Sequence, residues 1–292
     1  MNKYKLVIER ITFDNLSQKN INNNNNPIEI IPSEYDKVYN LNYETEVART
    51  NLVRWKNIIN YPIIFEYTFT KSDIDILKRS CNIGIISGRI PLLYKEELEI
   101  IIKNLNKIML TYDSEYGWFV RFNRASPKDG VATFPLMTPE HVIRQIVTSK
   151  RALQCLSNDD ATMYFCKFDP LWNSERELRV FIYDGNITGI SQYVCSDISD
   201  IFSIMSNEQI STIADNSISS INMILQKLVI AFGTKSFVCD IYVNEDLSVR
   251  IIEFNSFGYW LAAGSCLFNW KSDYEKLYNK NDNIYFRIFN IN

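Results

Sequence analysis

Residues 237–258 read FVCDIYVNEDLSVRIIEFNSFG, and both the fold and the candidate site follow from this stretch. Two apolar segments flank a short polar turn, which is typical of a β-hairpin. Because side chains alternate between the two faces of a strand, a hairpin with its tip at residues 245–248 places Asp240 directly opposite Glu253. Asn255 lies two residues further along and shares the face of Glu253.

Two opposed carboxylates need a cation between them. Facing side chains on neighbouring strands lie about 4.5–5.5 Å apart at Cβ, where like charges repel each other, and an apolar segment makes a bare charge costly. With the amide oxygen of Asn255, the carboxylates of Asp240 and Glu253 form an all-oxygen ligand set that suits Mg²⁺. Two alternatives stay open: an ion pair with a lysine or arginine, or a solvated strand face that carries surface acids.

The composition narrows the classes of function. The chain has 292 residues, 46% hydrophobic and 22% charged, which is enough for one large domain or two ordinary ones. Its net charge of −3 argues against a general nucleic-acid binder. No apolar run approaches the roughly 20 residues of a membrane helix, and the N-terminus shows no signal peptide. We therefore expect a cytoplasmic, monomeric protein that contacts neither membrane nor nucleic acid.

Cysteine and histidine usage excludes several kinds of site. The six cysteines show no CxxC spacing, so we expect reduced thiols rather than disulfides; they are Cys81, Cys155, Cys166, Cys195, Cys239 and Cys266. His141 is the single histidine, which excludes a histidine-rich zinc site and a Ser-His-Asp hydrolase with a second histidine as its base.

Cationic residues precede the acids in the chain. Arg121 interrupts the apolar strand of residues 117–123, where its charge requires a partner. The polar loop that follows offers Ser126 and Lys128, a type of loop that suits a polyphosphate. The GxxxxGK[ST] pattern of a P-loop is absent from the sequence. One surface turn in several looks like this loop, so its signal is weak by itself.

A second hairpin, residues 177–194, presents Glu177 and Arg179 on one strand face. A rigidly held arginine suits bidentate contact with a phosphate. An internal pair of Arg179 with Glu177 or another carboxylate explains the residue equally well. The simplest chemistry that uses both the cations and the acids is a nucleoside triphosphate whose phosphates are bridged to the acids by Mg²⁺.

Six blocks of sequence carry a resemblance to a known family. They are FVRFNRASPKDG (119–130), CKF (166–168), ELRVFI with ITGISQ (177–192), FVCDIY (237–242), IIEFNSFG (251–258) and CLFNW (266–270). In order and spacing they resemble the cell division cycle protein 123 family. The resemblance implies an α+β, ATP-grasp fold of two lobes, each with an antiparallel sheet flanked by helices, and a nucleotide cleft between the lobes.

The resemblance also implies roles for individual residues. Asp240, Glu253 and Asn255 match the metal-binding positions of the family, and Glu177 and Arg179 match its Glu-Phe-Arg motif. Further nucleotide contacts are implied on an earlier strand, on the loop that would close over the phosphates, and beside the adenine: Arg121, Asn123, Ser126, Lys128, Asp129, Lys167 and Phe168.

Three departures from the family pattern accompany these matches. Arginine replaces lysine at 121, glutamate replaces aspartate at 253, and serine replaces proline at 256. The first keeps the charge but not the shape of the side chain, and the second lengthens a metal ligand by one methylene. Both changes could weaken or reshape nucleotide binding.

The expected organisation has three segments. Residues 1–110 form an N-terminal region with an asparagine-rich loop at 14–32, residues 111–162 form the first ATP-grasp lobe, and residues 163–292 form the second. The implied function is an ATP- and Mg²⁺-binding assembly chaperone for eukaryotic translation initiation factor two, acting through its gamma subunit. The alternatives are an ATP-grasp ligase that forms an acyl phosphate, with Arg179 as the catalytic candidate, and a binding module whose nucleotide site has decayed.

Overall fold

The computed structural model describes residues 4–12, 42–158, 160–194, 200–261, 263–279 and 282–290. It divides the chain into two compact units. The larger unit comprises Met1–Thr50, Arg54–Ile59 and Asn173–Asn292, and the smaller comprises Asn51–Val53 and Asn60–Trp172. The asparagine-rich stretch 14–32 and Cys195 lie outside the described residues.

Strands and helices alternate irregularly along the described chain. The strands are β1 (Lys5–Ile11), β2 (Ile63–Thr68), β3 (Trp118–Phe122), β4 (Thr162–Lys167), β5 (Glu177–Tyr183), β6 (Asn186–Gln192), β7 (Phe237–Val243), β8 (Val249–Ser256) and β9 (Asn283–Phe289). The helices are α1 (residues 42–48), α2 (Leu52–Trp55), α3 (Lys71–Ser87), α4 (Lys95–Met109), α5 (Pro139–Val147), α6 (Lys150–Ser157), α7 (Asp200–Ser203), α8 (Asn207–Phe232) and α9 (Tyr274–Leu277). Short 3₁₀ turns lie at Leu92–Tyr94 and Ser174–Arg176.

The larger unit contains a six-stranded sheet with the order β1-β9-β6-β5-β7-β8. The pairs β1–β9 and β6–β9 are parallel, whereas β5 pairs antiparallel with β6 and β7, and β7 with β8. The predicted antiparallel pairing is present among β5, β6, β7 and β8, and β9 adds two parallel pairs that the sequence did not indicate. Hairpin turns fix the direction of neighbouring strands, but β1 and β9 join the sheet from distant parts of the chain, where no turn sets their direction.

The smaller unit contains an antiparallel three-stranded sheet with the order β2-β4-β3. Helices α3, α4, α5 and α6 pack together beside a core that includes Phe65, Val120 and Phe165. Strand β4 lies in this unit because it pairs with β2 and β3. The sequence had placed residues 163–167 with the C-terminal segment instead.

Helix α8 covers the sheet behind the candidate site. Ser206 begins the helix with a capping box shared with Gln209, and Gly233 ends it in the left-handed conformation, at a φ of 65°. At its C-terminal end, Phe232 packs edge-on against Phe237 and Phe254. Phe237 is three residues before Asp240 on β7, and Phe254 directly follows Glu253 on β8. Because side chains alternate between the faces of a strand, the two acids lie on the face of the sheet opposite to these rings.

Two simpler expectations can be compared with the structure. Among the described cysteines, Cys81, Cys155, Cys166 and Cys239 are buried free thiols and Cys266 is a half-buried one, so the expectation of reduced thiols is confirmed for them. Within the described ranges, every helix is too short or too polar to span a bilayer.

Candidate functional site

The late hairpin pairs Asp240 with Glu253, as the sequence predicts, but it does so through a bulge: next to the turn Val243 pairs with Val249, and the register shifts between residues 240 and 241. Asp240 on β7 is the direct partner of Glu253 on β8, and Asn255 is the partner of Val238. Strand β7 ends at Val243 and β8 begins at Val249, so the turn occupies the predicted polar residues. The strands therefore bring the three proposed metal ligands to one face of the sheet.

Arg179 is the cation beside these acids. It lies on β5 as the direct strand partner of Asp240, and its Nε and Nη2 atoms donate to the two oxygens of Asp240 at 2.7 and 2.8 Å. Its Nη1 atom donates to the carbonyl oxygen of Gly264 at 2.7 Å. The sequence left open whether Arg179 contacts a phosphate or a carboxylate, and in this structure its bidentate partner is a carboxylate.

The ion pair of Arg179 and Asp240 is buried, and its burial affects the ionisation of the groups around it. Arg179 is 5% exposed and Asp240 is 2% exposed. Burial alone would lower the pKa of Arg179, but the adjacent Asp240 carboxylate raises that pKa well above its usual value. The ring of Tyr193 lies 4.8 Å from the guanidinium carbon, and burial followed by the charge of Asp240 raises the pKa of Tyr193. Arg179 is therefore always a cation here.

Asn255 connects the two carboxylates. Its Nδ2 atom donates to Asp240 Oδ2 and to Glu253 Oε1, both at 3.1 Å. Asp240 is buried, whereas Glu253 and Asn255 are half-buried. Two carboxylates thus lie within hydrogen-bond distance of the amide nitrogen of Asn255.

The donor chemistry of this group fits a hard cation. Carboxylate and amide oxygens are the ligands that Mg²⁺ prefers, and Mg²⁺ keeps waters to complete its shell. Asn255 would need to turn its amide so that Oδ1 replaces Nδ2, a change that leaves the side chain in place. Among the residues that the structure describes, no cluster of three or more His, Cys, Asp or Glu side chains could hold a metal ion. A metal here would therefore depend on the amide as its third protein ligand.

Glu177 lies on β5 two residues before Arg179 and is 5% exposed. Its strand partner is Tyr242 on β7, and its carbonyl oxygen accepts from the amide of Tyr193 at 3.0 Å. The carboxylate therefore lies in the buried strand row that the sequence predicted.

The cationic residues predicted on the earlier strands belong to the smaller unit. Arg121 on β3 is 2% exposed, its Nε donates to the carbonyl oxygen of Phe122 at 3.3 Å, and its guanidinium lies 5.7 Å from the ring of Tyr61. Lys167 ends β4 and is exposed, and the half-buried Phe168 donates its amide to the carbonyl oxygen of Gly117. Arg121 and Lys167 thus lie on adjacent strands, the first buried and the second exposed.

The loop after β3 is held in place by its polar residues. Asn123 accepts from the amides of Leu52 and Val53, the second through its side chain at 2.9 Å. The carboxylate of Asp129 accepts from the amides of Lys150 and Arg151 at 3.0 and 3.3 Å, which caps α6. These two residues therefore have structural contacts in addition to their predicted nucleotide contacts.

The same loop contains the predicted donors Ser126 and Lys128. The hydroxyl of Ser126 is buried, and among the described residues it has no hydrogen-bond partner. A buried hydroxyl without a partner is costly, and such a group is a candidate for contact with a ligand or water. Lys128 is exposed at the surface of the loop.

Asp160 is a residue that the sequence did not indicate. Its carboxylate accepts from the amide of Arg124 at 3.0 Å, at the start of the loop. Burial raises the pKa of Asp160 to about 6, although backbone amides and the charge of Arg121 oppose the shift. In sequence it ends the run Asn158-Asp159-Asp160, which resembles an ordinary polar turn.

The sequence also missed a second buried arginine group in the larger unit. Arg287 on β9 donates from Nη1 and Nη2 to Asp273 at 2.5 and 2.7 Å, from Nε to Glu9 at 2.6 Å, and from Nη1 to the carbonyl oxygen of Leu267 at 3.2 Å. Lys276 also pairs with Glu9. The available signal was Arg287 within the apolar run YFRIF, the same kind of signal that identified Arg121.

Comparison with known proteins shows what the chain is similar to. Residues 163–292 match the model of the D123 family. The structure is similar to Cdc123 from Schizosaccharomyces pombe, with a TM-score of 0.58 and 18% identity over 85% of this chain and 98% of that chain. For C-terminally truncated Cdc123 from the same organism, the TM-score is 0.56 with 17% identity, over 84% of this chain and 98% of that one.

A more distant likeness is to D-alanyl-alanine synthetase A from Vibrio cholerae, with a TM-score of 0.34 and 13% identity over 75% of this chain and 57% of that chain. No curated protein matches the sequence at a significant level. The resemblance to the cell division cycle protein 123 family is thus confirmed over residues 163–292, and the predicted fold is confirmed by the similarity to the Cdc123 structures.

Proposed function

We propose that this protein binds ATP together with Mg²⁺ and acts as an assembly chaperone for eukaryotic translation initiation factor two, through its gamma subunit. The family match over residues 163–292 and the likeness to Cdc123 support the proposal. The residues proposed to hold Mg²⁺ are Asp240, Glu253 and Asn255. When bound, Mg²⁺ would neutralise charge on the phosphates of the nucleotide.

One observation carries the proposal. A single nitrogen atom, Asn255 Nδ2, lies 3.1 Å from an oxygen of Asp240 and from an oxygen of Glu253. The two acids therefore approach the same point from neighbouring strands, which is costly unless something in that position offsets their repulsion. In the structure the guanidinium of Arg179 offsets the charge of Asp240 and the amide of Asn255 bridges the two acids; a divalent ion between them would offset their repulsion more strongly.

The remaining proposed contacts with ATP are those that the sequence indicated. Arg121 and Lys167 contribute charge to the phosphates, and the hydroxyl of Ser126 supplies a donor from the loop. The full proposed set is Arg121, Asn123, Ser126, Lys128, Asp129, Lys167, Phe168 and Glu177. Arg179 is assigned to the same proposed site, beside the Mg²⁺ ligand Asp240.

Isothermal titration calorimetry tests ATP and Mg²⁺ binding. We expect the wild-type protein to bind ATP in Mg²⁺ with measurable heat and to bind far more weakly in EDTA. Glu253→Gln keeps the size of the half-buried side chain but removes its charge, so Mg²⁺-dependent affinity should fall roughly tenfold, about 1.4 kcal/mol.

Glu245→Gln is the matched control, because it makes the same change in the exposed turn of the same hairpin. It should leave the affinity unchanged. Wild-type protein that binds no ATP in Mg²⁺, or equal losses in the two variants, would contradict the proposed site.

A binding assay with purified gamma subunit tests the partner. Immobilised wild-type protein should retain the gamma subunit in the presence of Mg-ATP, and Glu253→Gln should retain less of it at a limiting nucleotide concentration. Equal retention with and without Mg-ATP would show that the nucleotide does not control the interaction, and no retention at all would refute this partner.

A further inference from the structure

Arg179 has few donors left for a ligand. Its Nε and Nη2 atoms are used by Asp240 and its Nη1 atom by the carbonyl oxygen of Gly264, all at 2.7 to 2.8 Å. Tyr193 lies against one side of the guanidinium, 4.8 Å from its central carbon. Because the planar guanidinium offers its donors in a fixed fork, Asp240 occupies the Nε/Nη2 edge, one of the two edges that could take a phosphate in a bidentate manner, and Nη1 on the other edge is already bonded to Gly264.

Displacing these partners would be unfavourable. Asp240 is 2% exposed, and a buried carboxylate that loses its arginine is left as an uncompensated charge. The carbonyl of Gly264 would lose its donor in the same change. A phosphate would therefore have to replace two short hydrogen bonds of a buried pair before it could reach the Nε/Nη2 edge of Arg179. Arg179 as a whole is 5% exposed, so the rest of its side chain offers a ligand little access.

The same contacts leave Asp240 able to act as a ligand. An ionised carboxylate has about four lone-pair positions, and a bidentate arginine uses one on each oxygen. Asp240 Oδ2 also accepts from Asn255 Nδ2 at 3.1 Å, on the side where Glu253 is located. The guanidinium therefore fixes the plane of the carboxylate while Oδ2 points toward the other two proposed ligands.

We infer that Arg179 is a positioning residue, which holds the Asp240 carboxylate in the orientation needed for the divalent cation and does not bind the phosphates. The inference rests on the proposed function and refines it, because the sequence had assigned Arg179 to the nucleotide. The direct strand pairing of residues 179 and 240 gives the arrangement its rigidity. The phosphates then depend on the cation and on other cationic residues.

Arg179→Lys tests the inference, with Arg287→Lys as the matched control. Both arginines are buried, bidentate to an aspartate and bonded to a backbone carbonyl. Lysine keeps the charge but cannot hold a carboxylate plane through two parallel bonds. We propose to measure Mn²⁺ affinity by electron paramagnetic resonance in the absence of nucleotide, and ATP affinity by calorimetry in EDTA.

A positioning role predicts that Arg179→Lys lowers Mn²⁺ affinity at least tenfold while metal-free ATP affinity changes less than twofold. Arg287→Lys should change neither. A loss of metal-free ATP affinity with unchanged Mn²⁺ affinity in Arg179→Lys would overturn the inference and assign Arg179 to the phosphates. Parallel losses in both variants would also overturn it, since they would show a purely structural role.

A measurement on the wild-type protein covers the case in which Arg179→Lys does not fold. The arginine Nε–H resonance of Arg179 should stay in place when ATP is added in EDTA and should shift when Mg²⁺ is added alone. A shift with ATP alone would overturn the inference. Wild-type protein that binds neither Mn²⁺ nor ATP would instead refute the proposed function, so the two failures are distinguishable.

Discussion

Arg179 and Arg287 are held in similar ways, but their neighbours differ. Each is buried in the larger unit, contacts both oxygens of an aspartate, donates Nη1 to a carbonyl of the segment 264–267 and lies against an aromatic ring. Beside Arg287, the second acid is Glu9, which also pairs with Lys276. Beside Arg179, the second acid is Glu253, which is linked to the first through the neutral amide of Asn255.

This difference teaches what separates a structural ion pair from a candidate site. A lysine offers only donors, so the Arg287 group can serve only as a link among β1, β9 and the segment that carries Asp273. An amide offers a nitrogen on one side and an oxygen on the other. Only the Arg179 group can therefore become an all-oxygen ligand set through the turn of one side chain.

The largest expected effect comes from removal of an aspartate charge. Asp240→Asn leaves the buried Arg179 without its aspartate, so it should lower the free energy of unfolding by roughly 3–5 kcal/mol. Asp273→Asn should cost less, because Arg287 keeps its pair with Glu9. Urea denaturation followed by circular dichroism measures the loss. Mn²⁺ titration in the absence of urea makes the comparison sharper. Asp240→Asn should abolish Mn²⁺ binding, whereas Asp273→Asn, which should still be folded without urea, should keep it.

Two results would break the comparison. If Asp240→Asn is destabilising but binds Mn²⁺ as well as the wild-type protein does, Asp240 is structural like Asp273. If Asp273→Asn loses Mn²⁺ binding as well, the two groups act together, and the distinction drawn between them fails.

An intermediate effect concerns acid stability. Burial by itself raises the pKa of Glu9, but hydrogen bonds and charge from Lys276 and Arg287 lower it overall. Because its folded-state pKa is depressed, Glu9 stabilises the fold above the unfolded-state pKa and loses that contribution as pH falls through the folded value. Allowing for its partial exposure, we expect a contribution of about 1 kcal/mol at neutral pH.

Urea denaturation of wild-type protein and Glu9→Gln at several pH values between 7 and 3 measures this contribution. The difference in unfolding free energy between them should be present at pH 7 and should vanish toward pH 3. A difference that stays constant over this range would show that ionisation of Glu9 does not stabilise the Arg287 group.

The smallest effect is expected at Lys276. This side chain is 29% exposed and pairs with Glu9, which is also paired with Arg287. Lys276→Gln should therefore cost only about 0.5 kcal/mol, as partly exposed ion pairs usually do. The same denaturation assay measures it, and a loss as large as that of Asp273→Asn would mean that the ammonium is an essential part of the group.

The sequence predicted most of the local structure around the site. The apolar alternation and polar turn of residues 237–258 predicted the pairing of Asp240 with Glu253. The bulge between residues 240 and 241, which produces this pairing from the register next to the turn, was not predicted. Ser206 and Gly233 likewise mark the beginning and the end of helix α8, which packs behind the hairpin. These are short-range effects, which nearby residues decide.

Pairings between distant segments could not be predicted in the same way. Arg179 and Asp240 are 61 residues apart, and Arg287 and Glu9 are 278 residues apart. The sequence showed that a charge within an apolar strand needs a partner, but it offered several acids and no means of choosing among them. The parallel pairing of β1 with β9 and the placement of β4 in the smaller unit were unpredicted for the same reason.

The amino-acid sequence alone thus determined the chemistry: which residues are charged, which strand face they occupy and which family they resemble. Only the tertiary structure decided the partners, because the cost of burying a charge is met by whichever opposite charge the sheet order brings alongside it. Since β5 lies next to β7 in that order, Asp240 is the bidentate partner of Arg179 in this structure.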